Sequence, residues 1–379
     1  MSAASQAGRI YLDYNATAPI RPEAQAAVAE AMMVGNPSSV YAEGRQARAL
    51  VEAARKDIAK LCNGLAEAVV FTSGGTEACN MAMHLRAAPA GPVARVIVSA
   101  IEHSAVSAPA QASGLPVETV PVLANGQVDL AALAALLDKA TPALVCIMLA
   151  NNETGVIQPV ADIADMVRQH GSLVFCDAVQ AAGKIPLDMA ALGVDALSLS
   201  GHKLGAPMGV GALVTRAGLP VPPSLLGGGQ ELGRRAGSEN MIGIAGFAAA
   251  ARAAQAGLAQ FDGLAVARNE MEAALRDISD EVVIFGADSP RLPNTSCFAG
   301  DGLNSETLVM ALDLAGFSVS AGAACSSGKV SRSHVLAAMG VEDRLSRGVL
   351  RVSTGWQSDA MDGLKLAQAW KRVALRRAA

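Results

Sequence analysis

The sequence predicts a mostly parallel α/β fold, with a larger domain joined to a smaller α+β C-terminal domain. Three observations carry that expectation. Apolar strand-like runs alternate with helix-like segments through residues 67–216. The runs lack a polar face, as strands do when helices cover both sides of their sheet. The chain has 379 residues, enough for a substantial core and a second, smaller one. The runs fall at 68–71, 93–99, 117–122, 144–149, 173–176, 196–200 and 211–215, so seven strands are expected. The larger domain is placed at 16–255 and the smaller at 256–379, with residues 1–15 packing against the smaller one.

Taken in order, the first run ends Val69-Val70-Phe71 and is followed by Thr72-Ser73-Gly74-Gly75-Thr76 and a helix-like segment, 77–85. Glycines let the backbone approach a ligand closely, and a helix start offers unsatisfied N–H groups, so this turn reads as a phosphate cradle. It fits neither the Walker pattern nor the dinucleotide fingerprint. The run at 173–176 closes on Asp177, with Gln180 three residues further on. The run at 196–200 leads into Ser200-Gly201-His202-Lys203. A lysine just past a buried strand is expensive unless it is used, and burial there lowers its pKa and frees the amine for a Schiff base. A carboxylate at a neighbouring strand end would keep a pyridine nitrogen protonated. Lysine, carboxylate and phosphate cradle together are the layout that pyridoxal 5'-phosphate (PLP) requires. Alone, each has an ordinary reading as a loop lysine, a strand-end aspartate or a tight turn. In parallel sheets, ligands gather outside the carboxyl ends of strands, where Thr76, Asp177 and Lys203 fall. Residues 220–229 read as a Pro- and Gly-rich loop, 240–278 as a long Ala-rich helical stretch bridging to the smaller domain, and 361–374 as a last helix.

A net charge of −4 gives no reason to expect nucleic acid or an anionic membrane surface as partner. Residues 1–9 lack an apolar signal-peptide region, and the most apolar window, 242–261, carries Arg252 mid-span, so it reads as a buried helix. A cytoplasmic protein is expected. Six cysteines occur, without any CxxC pair, and suggest neither a metal site nor a disulfide framework. Cys62, Cys79, Cys146, Cys176 and Cys297 lie in apolar or helix-like segments and read as small buried hydrophobes. Cys325 differs, because it sits among tiny residues in Ser320-Ala321-Gly322-Ala323-Ala324-Cys325-Ser326-Ser327-Gly328. A mobile segment carrying a thiol is expected there.

The motifs together resemble the cysteine desulfurases of the nitrogen-fixation and iron–sulfur assembly type, which are fold-type I PLP enzymes. The resemblance runs nearly end to end. It rests on Tyr11-Leu12-Asp13-Tyr14-Asn15-Ala16-Thr17, Asn36-Pro37-Ser38-Ser39, Ser73-Gly74-Gly75-Thr76-Glu77, Glu102-His103, Asn151-Asn152-Glu153-Thr154-Gly155, Ser200-Gly201-His202-Lys203, Arg234-Arg235-Ala236-Gly237-Ser238-Glu239-Asn240 and Leu350-Arg351-Val352-Ser353. It implies that Lys203 holds PLP and later carries a proton, that Asp177 pairs with the pyridinium, and that Gln180 bonds the phenolic oxygen. His103 would stack on the ring and act in acid–base steps. Gly75, Thr76, Ser200 and His202 would take the phosphate, with Ser238 reaching it from the second subunit of a homodimer. Arg351 and Asn152 would hold the carboxylate of the substrate, L-cysteine, and Cys325 would take its sulfur as a persulfide for transfer to an acceptor protein.

Departures from the family pattern are Met208, Tyr41 and Arg332 at positions where lysine, histidine and proline are frequent. Ser238 stands for threonine, and Ala321-Gly322-Ala323 for a Ser-rich approach to the cysteine. The chain ends soon after its last helix, which leaves the acceptor open. A selenocysteine lyase or cysteine-sulfinate desulfinase of the same fold, and a non-catalytic relative, are the competing readings. Dependence on Cys325 separates the first two from a desulfurase.

Overall fold

The computed structural model describes residues 8–139, 141–300, 302–322 and 332–375. The chain opens with β1 (Ile10–Tyr11), α1 (Pro22–Ala31) and α2 (Ala42–Leu61), then β2 (Val69–Thr72) and α3 (Gly75–Ala82). A short ribbon, β3 (Ala87–Ala88) and β4 (Gly91–Pro92), precedes β5 (Arg95–Ser99), α4 (Ser104–Gln111), β6 (Val117–Val120), α5 (Leu130–Leu137), β7 (Ala143–Met148) and α6 (Val160–Gln169). There follow β8 (Leu173–Asp177), α7 (Met189–Leu192), β9 (Ala196–Ser200), a 3-10 turn at Gly201–Lys203 and β10 (Gly211–Thr215). Seven strands form one sheet in the order β2-β10-β9-β8-β7-β5-β6. The pairs from β9 to β6 are parallel, while β10 runs antiparallel to both β2 and β9. Strands β2, β5, β7, β8, β9 and β10 are buried along their whole length. That burial explains why they read as unbroken apolar runs.

The sheet separates two apolar layers. On one side Val51, Ile58, Leu133, Ile163 and Val167 pack with α8 (Met241–Ala256), which contributes Ile244, Phe247 and Ala251. On the other, Ala78, Met81 and Ala82 of α3 pack with Val106 and Ala110 of α4. Beyond α8 come α9 (Leu258–Asp262), α10 (Leu264–Ile278), β11 (Val282–Ile284), β12 (Thr295–Gly300), α11 (Ser305–Leu314), β13 (Phe317–Ser318), β14 (Ser320–Ala321), α12 (His334–Ala338), α13 (Asp343–Ser346), β15 (Val349–Ser353) and α14 (Asp362–Leu375). Strands β11-β12-β15-β14 make a smaller antiparallel sheet. Met271, Leu275, Leu308, Leu312, Leu366 and Trp370 cover it from α10, α11 and α14. The N-terminal β1 pairs in parallel with β13.

Three expectations need correction. The stretch 240–278 is not one helix: it breaks at Gly257 and Gly263 into α8, α9 and α10, with a 63° bend between α8 and the later helices. Glycine is the poorest helix former after proline, and the surrounding alanines hid the breaks. Helix α3 starts at Gly75, two residues earlier than expected, and ends at Ala82. Strand β6 stops at Val120 because Pro121 has no N–H for the ladder. Among the described residues no single helix is long and apolar enough to cross a membrane.

Candidate active site

The carboxyl ends of β2, β7, β8 and β9 open on a cavity of about 540 Å³. Gly75, His103, Asp177, Gln180, Lys203 and Arg351 are among the residues that line it. The last residue of β8 is Asp177, and it is buried. Its Oδ1 accepts from the backbone N–H of Val179 (3.0 Å) and from the hydroxyl of Ser198 on β9 (3.1 Å), while Oδ2 takes no hydrogen bond among the described residues. Burial pushes the Asp177 carboxyl above its ordinary range, and the Val179 N–H, His103, Ser198 and Lys203 pull it back.

Lys203 is not at the strand end but closes the 3-10 turn that follows β9, and it is half-buried. Its Nζ donates to the backbone carbonyls of Asn15 (2.6 Å) and Ala16 (2.8 Å). The N-cap of α4 is His103, whose Nδ1 accepts from the Ala105 N–H (3.1 Å). Burial, with smaller contributions from Lys203 and His334, holds its imidazole below the usual range against the pull of Asp177. Because Nδ1 accepts from the backbone, the neutral ring carries its proton on Nε2. His202 is pushed down to about 4 by burial and by Lys203, and its Nδ1 lies 3.2 Å from the Thr17 hydroxyl.

At the other end of the cavity the N–H groups of Gly75, Thr76 and Glu77, the first turn of α3, meet no acceptor among the described residues. A Cβ on Gly75 would come within 2.9 Å of Val179 and 3.2 Å of Ser200, so only glycine lets this helix start sit against the sheet. Gly211 on β10 is equally constrained: a Cβ there would lie 2.5 Å from the Gly74 carbonyl carbon. The Ser200 residue ends β9 beside the turn and lines the same cavity.

The opposite wall comes from the smaller sheet. Arg351 lies on β15, an interior strand between β12 and β14, and only 1% of its surface is exposed. One guanidinium nitrogen donates to Asp13 Oδ1 (2.7 Å) and another to the Asn152 carbonyl (3.2 Å), while Nε is buried with no partner among the described residues. A planar cation held this way is suited to a carboxylate ligand.

Asn15 joins the two walls. Its N–H donates to Ser353 Oγ on β15 (2.9 Å), and its Nδ2 to the Asn152 carbonyl (3.2 Å) and to Thr295 Oγ1 on β12 (2.9 Å). Its own carbonyl receives Lys203 and, at 3.0 Å, Gln180 Nε2.

The structure thus brings Gly75, Thr76, His103, Asn152, Asp177, Gln180, Ser200, His202, Lys203 and Arg351 to one cavity. Ser238 is not there: it is exposed, and it lines a smaller adjoining cavity of about 200 Å³ that shares Ser73 and Gly209 with the first. Cys325 lies outside the described residues. The residues that flank its segment, Gly322 and Ser333, both approach Glu153. A Cβ on Gly322 would be 3.8 Å from Glu153 Oε2, and the Ser333 hydroxyl donates to that oxygen at 2.5 Å. Burial lifts the Glu153 carboxyl to about 7, against the pull of Ser333 and Arg351. The other five cysteines are buried, as expected. Asp13, Asn15, Glu153 and Lys184 belong to the site or its frame without having been assigned a role from sequence. Three of them stand in motifs that could have flagged them, Asp13-Tyr14-Asn15 and Asn151-Asn152-Glu153.

The sequence matches the aminotransferase class-V family over residues 10–362. A cysteine desulfurase of Cereibacter sphaeroides is 40% identical over 352 residues, covering 91% of this chain and 90% of its own. An IscS-like cysteine desulfurase of Mycobacterium tuberculosis is 39% identical over 365 residues, covering 93% of each. The crystal structure of a NifS-like protein from Rickettsia africae superposes with a TM-score of 0.87 at 30% identity, covering 97% of this chain and 99% of that one.

Proposed function

The chain belongs to the aminotransferase class-V family, and from that premise we propose that it is a PLP-dependent cysteine desulfurase, converting L-cysteine to L-alanine and passing on the sulfur. The observation that carries this reading is the convergence on one cavity of an amine, a buried carboxylate and a buried guanidinium: Lys203, Asp177 and Arg351. The residues present fit the cofactor. The Asp177 oxygen that takes no hydrogen bond among the described residues suits a pyridinium N–H, and the α3 N–H groups that meet no acceptor among them suit, with the Ser200 hydroxyl, a phosphate. Thr76, His202 and Gly75 complete that phosphate end, and Gln180 is assigned to the ring oxygen.

When bound, PLP supplies an electron sink for charge developing at the substrate α-carbon. The chain's own groups do the rest. Lys203 would hold the cofactor through its amine and, once freed by the substrate amine, would take the α-proton and later return a proton to the α-carbon. Arg351, with Asn152, holds the substrate carboxylate. His103, whose Nδ1 is taken by the Ala105 N–H, is available to pass a proton at its Nε2. Cys325, as thiolate, attacks the substrate sulfur. A new S–S bond forms, the C–S bond breaks with its electron pair left on the substrate carbon, and that carbon takes a proton to become the methyl group of alanine. The thiolate is the reactive form, so a nearby cation that lowers its pKa favours the step. The outer sulfur of the persulfide then passes to a thiol of an acceptor protein, or is released as sulfide by an added reductant, and the Cys325 thiolate is regenerated.

The same reading takes 16–255 as the cofactor-holding domain and 256–379 with 1–15 as the smaller one. It also makes the protein a cytoplasmic homodimer in which Ser238 serves the partner's phosphate site. The test is alanine release from L-cysteine with a reductant present, comparing wild type with Cys325→Ala. Alanine from wild type and none from the variant is expected; equal release from both would replace thiolate attack with direct elimination.

A further inference from the structure

Lys184 is a buried lysine that the proposed chemistry does not use. It is 3% exposed and forms no ion pair among the described residues. The turn that follows β8 carries it, four residues after Gln180, held by bonds from the Ala181 and Ala182 N–H groups to the Ala178 carbonyl and from the Lys184 N–H to Ala181. Its Nζ donates to Gln180 Oε1 at 2.6 Å and to Asn15 Oδ1 at 2.7 Å. Both acceptors are side-chain amide oxygens. An amide whose oxygen is taken by a donor can present only its N–H2 end elsewhere. Gln180 Nε2 is accordingly the end that reaches the Asn15 carbonyl, the same oxygen that receives Lys203.

We propose that Lys184 is a positioning residue of the cofactor site, its amine locking the Gln180 amide so that the N–H2 end faces the cofactor's ring oxygen. This rests on the assignment of Gln180 to that oxygen. Burying a lysine without an acid partner is costly, and a methionine would fill the same space without that cost. The two N–H bonds are therefore what the lysine adds over a methionine. Burial, and after it the facing cations Lys203 and Arg351, drive its pKa far down. The amine has donors enough for the two amide oxygens it meets. Without it, Gln180 Oε1 becomes a buried acceptor with no partner and the amide is free to turn.

The experiment titrates the visible absorbance of the PLP-loaded protein with pH in wild type, Lys184→Met, Gln180→Ala and the double variant, with thermal melts as a check on folding. A donor at the ring oxygen stabilises its negative charge, so losing that donor moves the colour change to higher pH. Lys184→Met should shift it up by about 0.5–1 pH unit, and should add nothing in the Gln180→Ala background. If Lys184→Met titrates like wild type while Gln180→Ala shifts, the role of Lys184 is overturned and that of Gln180 stands. If Gln180→Ala itself titrates like wild type, the assignment of Gln180 falls and takes the proposal with it. Shifts that simply add in the double variant overturn the locking role. Should Lys184→Met fail to fold, Lys184→Gln, too short to reach both oxygens, is read in the same way.

Discussion

Arg351 is a cation kept in the core by what surrounds it: Asp13 and the Asn152 carbonyl take two of its nitrogens, and Nε is buried with no hydrogen-bond partner among the described residues. Arg351→Lys keeps the charge and loses the planar fork. It should raise KM for L-cysteine about 10–100-fold, the worth of about 1.5–3 kcal/mol for a hydrogen bond to a charged group, with a smaller change in kcat. An unchanged KM would remove Arg351 from substrate binding. Glu153 makes a pH-dependent contribution of known sign. Its carboxyl holds a proton up to about 7 in the folded protein, against an ordinary value of 4.5. Its contribution to stability is therefore full below about 4.5 and lost as pH rises through 7. Glu153→Gln keeps an acceptor for the Ser333 hydroxyl and cannot ionise. The variant should melt close to wild type at pH 4.5 and above it at pH 8; a gap that stays constant with pH would contradict this.

Among elements, the tie between α2 and the loop that carries Ser238 is the most exposed to test. Arg55 of α2 pairs with Glu231 through two bonds of 2.8 and 2.9 Å, and Glu231 also accepts from the Phe71 N–H of β2 at 2.9 Å. The pair holds Glu231 and Leu232 in the left-handed region, at φ of 50° and 59°, a conformation that costs energy for such residues. Arg55→Ala leaves the Glu231 carboxylate buried and unpaired, and should cost about 3–5 kcal/mol by denaturant titration. A loss under about 1 kcal/mol would mean that water reaches Glu231. Element by element, six of the seven large-sheet strands were legible because strands buried on both faces leave few polar residues in their runs, while β6, partly exposed, is the exception. Their ends were less so, since Pro121 and the Gly75 helix start are decided by single turn residues. Lys203 and Asp177 were legible because each follows such a run. Arg351 was legible only through the resemblance carried by Leu350-Arg351-Val352-Ser353, since its alternating neighbours by themselves suit an edge strand. Only the packing of β15 between β12 and β14 shows why it faces inward. Asn15 stood in a motif, but its partners on β12 and β15 are distant in sequence, and Lys184 shares a turn with no regular periodicity, so no local pattern reports its role.

At the scale of the whole molecule, the site exists because two sheets meet. Lys203, Asp177 and Gln180 come from the larger sheet and its turns, Arg351 comes from the smaller one, and Asn15 bonds to both. A ligand held by Arg351 at one end and Lys203 at the other therefore spans the junction, and the described residues on either side of Cys325 meet Glu153 near it. The account stands or falls on the fate of the sulfur. The decisive measurement is the mass of the protein after brief exposure to L-cysteine without reductant, followed by peptide mapping. One added sulfur, carried on the peptide that contains Cys325 and absent when Lys203 is replaced by alanine, is the result expected. Free sulfide with an unmodified protein, or added sulfur on any of the five buried cysteines instead, would contradict it.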